Sequence, residues 1–147
     1  MHPARSHSAS DVLAQRERDS ARAYSAKSSE DERLGLKVMR VRCSRAEHEG
    51  TQYSDLTIGN VYRVLGIEAD FHRIIGDEGR PYLYPDQLFE TVDPAEDPAW
   101  ITTFGNDGER YSYPQELSAP GFFEDYFDNR ADAVATFREY AARMFRP

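Results

Sequence analysis

The apolar residues are unevenly distributed along the chain, and their pattern changes at about residue 36. Residues 1–35 are rich in Ser, Ala, Arg and Glu, and their few large apolar side chains include Val12, Leu13 and Tyr24. Such a segment cannot bury enough surface to offset the entropy lost on folding, so a mobile tail is predicted. Residues 36–147 are predicted to form a single folded domain.

Short runs of β-forming residues follow this change. Met39, Val41 and Cys43 alternate with arginines, which is the period-two pattern of a half-buried strand. Five short strands joined by tight turns indicate a small, strongly bent barrel. The other strands are predicted over residues 61–65, 71–75, 82–84 and 90–92, with a polar loop over 44–55, a hairpin turn at 77–79 and one helical or 3₁₀ turn over 86–89.

These residues also carry a resemblance to a known class of domain. The segment 56–65, followed by Asp77-Glu78-Gly79, Tyr84-Pro85 and Phe89-Glu90, resembles SH3-like barrels found in many bacterial and phage proteins. Their usual pattern is L-T-x-G-K-x-Y-x-V-L, then D-x-G, Y-P and F-E, and Asn60 stands here where lysine is usual. The resemblance covers residues 37–93 and implies an SH3-like barrel over 36–93. Barrels of this kind serve many functions, so the resemblance specifies none.

Residues 94–147 are predicted to extend this barrel. The pattern G-x-x-Y-x-Y-P-x-x-L starts at Gly79 and again at Gly108, so one device of turn, strand, proline stop and helical turn is expected twice. The second copy predicts a hairpin in which residues 100–104 pair with 110–113 and extend the sheet or pack on it. A C-terminal helix over 132–144 should pack the apolar residues Ala133, Phe137, Tyr140, Ala141 and Met144 against the sheet. The predicted fold class is therefore mainly β (α+β).

The charge distribution narrows the choice of partner. The 147 residues include 26 acidic and 18 basic side chains, for a formal net charge of −8. Residues 90–128 hold ten acidic side chains against Arg110 alone. Direct nucleic-acid binding is not expected, because phosphate contacts need clustered Lys and Arg. No apolar run approaches the roughly 18 residues of a membrane span, and the N-terminus lacks the apolar stretch of a signal peptide, so a cytoplasmic protein without membrane contact is expected.

Motifs of catalysis are missing from the sequence. No H-x-x-x-H, H-E-x-x-H or C-x-x-C spacing supports zinc, and glycine-rich phosphate loops and a G-x-S-x-G elbow are absent. His72 is predicted to face solvent on a strand. Cys43, the single cysteine, is predicted to be a buried, inert thiol. We therefore expect no enzymatic activity, no cofactor and no metal.

The acidic and aromatic stretch 90–128 is the candidate binding surface. Tyr and Trp supply rigid contact area, and a field of one sign steers a partner of the opposite sign. In the alternative interpretation, the aromatic residues form the core and the carboxylates only keep the protein in solution. The predicted partner-binding residues are Glu96, Asp97, Trp100, Asp107, Glu109, Tyr111, Tyr113, Glu124, Asp125, Tyr126 and Asp128.

Two non-enzymatic functions fit this interpretation. The barrel, together with the run P-G-F-F-E-D-Y-F-D at 120–128, is similar to proteins of bacterial toxin-immunity loci. That resemblance implies an inhibitor that occludes the active site of a basic toxin, for example a nuclease, with carboxylates in place of substrate phosphates. The alternative is an SH3-like adaptor that binds a linear peptide in an aromatic groove, with candidate residues Tyr53, Tyr62, Tyr82 and Tyr84.

Overall fold

A computed structural model of the chain describes residues 38–144, and the predicted tail, residues 1–35, lies outside this range. The strands are β1 (Arg40–Cys43), β2 (Glu47–His48), β3 (Thr51–Gln52), β4 (Val61–Arg63), β5 (Gly66–Glu68), β6 (Phe71–Ile75), β7 (Pro81–Pro85), β8 (Phe89–Asp93), β9 (Ile101–Phe104) and β10 (Arg110–Tyr113). The helices are α1 (Phe122–Phe127) and α2 (Ala131–Met144), and 3₁₀ turns cover Asp86–Leu88 and Gln115–Leu117. The predicted mainly β, α+β class is confirmed.

The described strands form three antiparallel sheets. A three-stranded sheet has the order β4-β1-β8, and a five-stranded sheet has the order β7-β6-β5-β10-β9. Strands β2 and β3 form a separate two-stranded sheet within residues 44–55, where the sequence predicted only a loop. The polar residues of that segment gave no period-two signal from which so short a hairpin could be recognised.

The predicted strand 61–65 is divided between the two larger sheets. Its first part, β4, pairs with β1, whereas β5 begins at Gly66 and pairs with β6. The change occurs between two neighbouring residues, because the amide of Val64 donates to Met39 O and the amide of Leu65 donates to Arg73 O. Strand β5 was not predicted, since a three-residue strand does not produce a recognisable alternation.

Two apolar cores fill the domain. The first contains residues of both larger sheets, among them Val41, Tyr62, Ile67 and Ile74. The second joins the five-stranded sheet to the two helices and includes Leu65, Ile75, Tyr113, Phe123 and Phe137. The four residues Ala133, Phe137, Tyr140 and Ala141 pack in this second core, which confirms the predicted apolar face of the C-terminal helix; the Met144 side chain lies outside the described part of the structure.

The repeated pattern G-x-x-Y-x-Y-P-x-x-L forms the same local structure twice, once in each core. Both copies turn at a glycine with positive φ, Gly79 at 81° and Gly108 at 80°, and both end at a proline that starts a 3₁₀ turn. Proline suits this position because its φ is already fixed near −65°. The matching residues are buried in both copies: Tyr84 and Leu88 in the first core, Tyr113 and Leu117 in the second.

The predicted second hairpin is confirmed. Strand β9 pairs with β10, which in turn pairs with β5, so the hairpin extends the sheet that contains β5, β6 and β7. Helix α1 was not predicted, because residues 120–128 are too few to show helical periodicity. Neither of the helices within residues 38–144 is both long and apolar enough to cross a membrane.

Candidate protein-binding site

The β9–β10 hairpin, residues 101–113, brings apolar and acidic side chains to one exposed part of the sheet. All four residues of β9 are exposed, including Ile101 at 42% and Phe104 at 69%. Tyr111, on β10, is 37% exposed. Asp107 is exposed in the turn, and Glu109 is half-buried with its carboxylate accepting from the Asp107 amide at 3.3 Å.

A buried arginine fixes the inner strand of this hairpin. The Arg73 guanidinium, from β6, donates to Glu68 Oε2 at 2.8 Å, to the Tyr113 hydroxyl at 2.9 Å and to Pro81 O at 3.0 Å. The Phe123 ring lies over the same guanidinium, 3.9 Å from Cζ to the ring centroid. One cation therefore connects β5, β6, β7, β10 and α1, and its donors are satisfied in the low-dielectric interior where an unpaired charge is costly.

Tyr113 belongs to this network and not to the surface. It is 7% exposed, and its hydroxyl also donates to Glu68 Oε2. A Cβ atom at Gly66 would overlap the Tyr113 ring, so glycine at the start of β5 is what allows the ring to lie on the strand backbone. Burial raises the pKa of the Tyr113 hydroxyl. Its prediction as a partner-binding residue was wrong, because Tyr111 and Tyr113 share one face of β10 but the Phe123 ring and the second core cover only Tyr113.

More carboxylates of the acidic stretch 90–128 are paired with arginines than the local sequence indicates. Four of its ten carboxylates form ion pairs, and three of the arginines come from outside the stretch. The strongest geometry is at Glu96, which accepts two bonds from Arg110 at 2.7 and 2.9 Å. The pairs are Glu90 with Arg42, Asp93 with Arg40, Glu96 with Arg110 and Glu116 with Arg143. Linear charge counts miss these pairs because the fold supplies the cations from distant segments.

The other six acidic residues of the stretch have no ion pair among residues 38–144. Five of the six, all except Glu109, are classed as exposed, and all six were predicted partner-binding residues: Asp97, Asp107, Glu109, Glu124, Asp125 and Asp128. A shallow depression of about 300 Å³ joins two of the predicted regions, because its lining includes Thr103 and Tyr111 from the hairpin and Glu124 from α1. The structure thus brings Glu124 beside the hairpin, whereas Asp125 and Asp128 do not line this depression.

Two predicted aromatic contacts are partly buried. Trp100, just before β9, packs against the first core. Tyr126, on α1, packs edge-on against Phe137 with the ring centroids 5.1 Å apart. Both side chains are half-buried, so each contributes mainly to packing and presents only part of its surface to solvent.

The aromatic groove of the adaptor alternative is not formed by its four predicted tyrosines. Tyr62 and Tyr84 are each 2% exposed, and their hydroxyls donate to Asp77 and Asp55. Tyr53 packs edge-on against Tyr84, at 5.9 Å between centroids, whereas Tyr82 stacks on Phe127 of α1. Two of these rings lie in the first core with their hydroxyls bonded to carboxylates, so the groove prediction was wrong.

Cys43 and His72 are both more buried than a solvent-facing residue. Cys43 is 1% exposed, its thiol donates to Arg45 O at 3.2 Å, and burial raises the thiol pKa, in agreement with the predicted inert thiol. His72 is half-buried beside Phe89, with ring centroids 6.0 Å apart, so its predicted solvent-facing position was wrong. Its Nδ1 is buried and has no hydrogen-bond partner within residues 38–144. Across those residues, no group of three or more His, Cys, Asp or Glu side chains is placed to hold a metal ion.

Sequence reasoning missed the outer strand of the hairpin as a site. Ile101 and Phe104 were not among the predicted contacts, although both are more exposed than the predicted Tyr111. The available signal was topological: a hairpin that extends a sheet leaves its outer strand at the edge, and I-T-T-F carries neither proline nor charge to protect that edge.

Comparison of the chain with protein-family models, with curated proteins and with solved structures found no match.

Replacing the buried arginine should destabilise the fold far more than replacing an exposed one. We expect Arg73→Met to lower the free energy of unfolding by about 2–4 kcal/mol, since it leaves Pro81 O without this donor and the Glu68 carboxylate without its cation. The matched control is Arg42→Met, which removes the exposed pair with Glu90 and should cost at most about 1 kcal/mol. Urea denaturation measures both, and equal losses would contradict the assigned role of Arg73.

Stability should depend on the protonation of His72. Burial lowers the pKa of His72 below its usual 6.5, so the folded state holds the neutral ring while the unfolded state still binds a proton. Stability is therefore full above pH 6.5 and is lost as the pH falls below it, with a slope of at most about 1.4 kcal/mol per pH unit. Urea denaturation between pH 8.0 and 5.5 should show this loss in the wild type and less of it in His72→Gln. Parallel curves for the two proteins would refute the prediction.

Proposed function

We propose that this chain is a non-enzymatic, protein-binding domain and that it docks its partner on the β9–β10 hairpin. The observation that carries the proposal is the concentration of apolar surface there. Within residues 38–144, six large hydrophobic side chains are exposed, and three of them, Ile101, Phe104 and Tyr111, lie on this one hairpin. Clustered apolar side chains on a soluble domain mark interaction surfaces, whereas single ones are ordinary.

The charges beside this surface favour a basic partner. Asp97 precedes β9, and Asp107 and Glu109 lie at the turn, all three without an ion pair among the described residues. Glu124 lines the depression next to Tyr111. Carboxylates that surround an apolar centre steer a cationic surface into place and raise its association rate. The net charge of −8 acts in the same direction at long range.

The particular class we propose is an immunity-type inhibitor of a basic bacterial toxin, a nuclease being the leading candidate. In this mechanism Phe104 and Ile101 bury against the toxin, and the free carboxylates occupy positions that substrate phosphates take during the reaction. Inhibition is then steric and electrostatic and needs no chemistry by this chain. Occlusion of a basic active site requires apolar side chains for contact and acidic side chains beside them, and the hairpin carries both.

The proposal includes an SH3-like barrel over residues 36–93. Its support is that two small antiparallel sheets enclose one core, with the chain passing from one sheet to the other between Val64 and Leu65. A 3₁₀ turn separates β7 in one sheet from β8 in the other. Short, strongly bent strands that change sheets in this way are characteristic of small barrels.

The test compares substitutions of two apolar residues that have similar exposure. Basic proteins retained by the immobilised full chain from a lysate of its native host are identified, purified and measured by calorimetry. Phe104→Ser should weaken the binding at least tenfold, because it removes a largely exposed ring that becomes buried against the partner. The matched control is Ile58→Ser, since Ile58 is 64% exposed on another part of the chain and should leave affinity unchanged.

The salt dependence of the binding affinity is the second test of the proposal. Raising the NaCl concentration from 50 to 500 mM should weaken the wild-type complex, because the Debye length falls from about 14 Å to about 4 Å over that range. Equal affinities for Phe104→Ser and Ile58→Ser would remove the hairpin as the docking surface. Affinity that does not respond to salt would remove the electrostatic part of the mechanism.

A further inference from the structure

Within residues 38–144, strand β9 is a sheet edge that no other strand pairs with on its outer side. In the two larger sheets the edge strands are β7, β4, β8 and β9. Strand β7 begins and ends with proline, β4 contains Arg63, and β8 contains Glu90 and Asp93. Strand β9, with the sequence I-T-T-F, has neither proline nor charge, and it is exposed along its whole length. Natural sheets normally protect their edges, because an unprotected edge is a template for another strand.

The pairing of β9 with β10 shows which backbone groups face outward. The amide of Gly105 donates to Glu109 O at 2.8 Å, so the pair 105–109 is hydrogen-bonded. In an antiparallel ladder hydrogen-bonded pairs alternate with pairs that are not bonded. Phe104 opposite Arg110 and Thr102 opposite Ser112 therefore point their N–H and C=O groups away from β10. The amide of Ala69 donates to Arg110 O at 2.8 Å, which agrees with this alternation because Arg110 faces β5.

We propose that an extended, Lys- or Arg-rich segment of the partner adds to the five-stranded sheet alongside β9. This inference rests on the proposed function and specifies how the partner is held. The outward N–H and C=O groups of Thr102 and Phe104 supply the hydrogen bonds, as in other complexes formed by strand addition. The exposed Phe104 and Ile101 side chains, on opposite faces of the strand, supply apolar contact with alternate residues of the added segment.

Charge selects a basic segment over a second copy of this chain. Asp107 is exposed in the turn that follows β9, so an added basic strand meets a carboxylate at that end. On the sheet face that carries Thr103 and Tyr111, the depression beside the strand also contains the exposed carboxylate of Glu124. Two copies paired through β9 would instead bring together two chains that each carry a net charge of −8.

The experiment separates backbone pairing from side-chain contact. Thr102→Pro removes one outward N–H, and it leaves the ladder with β10 intact because that N–H does not point to β10. Thr102→Val is the matched control, since both variants lose the 2.8 Å hydroxyl contact with Ser112 while only proline loses the donor. The probe is a fluorescein-labelled nonapeptide of alternating lysine and valine, titrated with the full chain and followed by anisotropy. Equal thermal midpoints for the two variants show that proline is accommodated.

A second measurement needs no variant of the protein. The same peptide with N-methyl groups on its two central, adjacent residues cannot pair centrally on either edge. We expect at least tenfold weaker binding for Thr102→Pro with the parent peptide, and for the wild type with the methylated peptide, and unchanged binding for Thr102→Val.

Three outcomes overturn strand addition. The first is that the wild-type chain does not bind the parent peptide. The second is that the proline and valine variants bind the parent peptide equally and the wild type binds the methylated peptide as tightly as the parent peptide. The third is a homodimer, seen by sedimentation, that Thr102→Pro dissociates. The last result would assign the edge to a second copy. The proposed function is judged separately: if Phe104→Ser still weakens the native partner complex while these tests fail, the hairpin remains the docking surface but binds through side chains alone.

Discussion

The buried guanidinium of Arg73 holds the hairpin extension on the rest of the domain. Arg73 lies on β6, and its guanidinium contacts Glu68 on β5, Tyr113 on β10 and the Phe123 ring on α1. A planar cation with several fixed donors can bond in its plane and stack on an aromatic face at the same time, which a lysine cannot do. Because a buried charge without partners is strongly destabilising, the positions of β10 and α1 follow from that of Arg73.

This arrangement leaves the hairpin with one fixed strand and one open strand. Strand β10 is bonded on both sides, by β5 and by β9, and its Tyr113 is anchored in the second core. Among the described strands, β9 is bonded on one side only, and its side chains are exposed on both faces. Strand β9 is already extended and paired with β10, so little ordering entropy has to be lost when another strand is added. The buried network thus holds in place the same hairpin that carries the exposed edge.

Sequence reasoning succeeded where a pattern had one structural meaning. The alternation of Met39, Val41 and Cys43 and the repeated G-x-x-Y-x-Y-P-x-x-L were sufficient for β1, for the confirmed hairpin and for both 3₁₀ turns. It failed where long-range contacts decide the outcome. Tyr111 and Tyr113 look alike in the sequence, but Gly66 and Arg73 make room and hydrogen bonds for only the second. The ion pairs of Arg40, Arg42 and Arg143 with the acidic stretch span distances in sequence that no local count detects.

Residue-resolved amide exchange by NMR tests the central claim, that the partner is held on the outer edge of β9, most directly. In the free chain, the amides of Thr102 and Phe104 should exchange fast and those of Ile101 and Thr103, which face β10, slowly. Addition of the purified native partner should slow exchange at Thr102 and Phe104 at least tenfold, with little change at Ile101 and Thr103. Slowed exchange confined to other segments, such as the loop containing Ile58, with Thr102 and Phe104 unchanged would contradict the account.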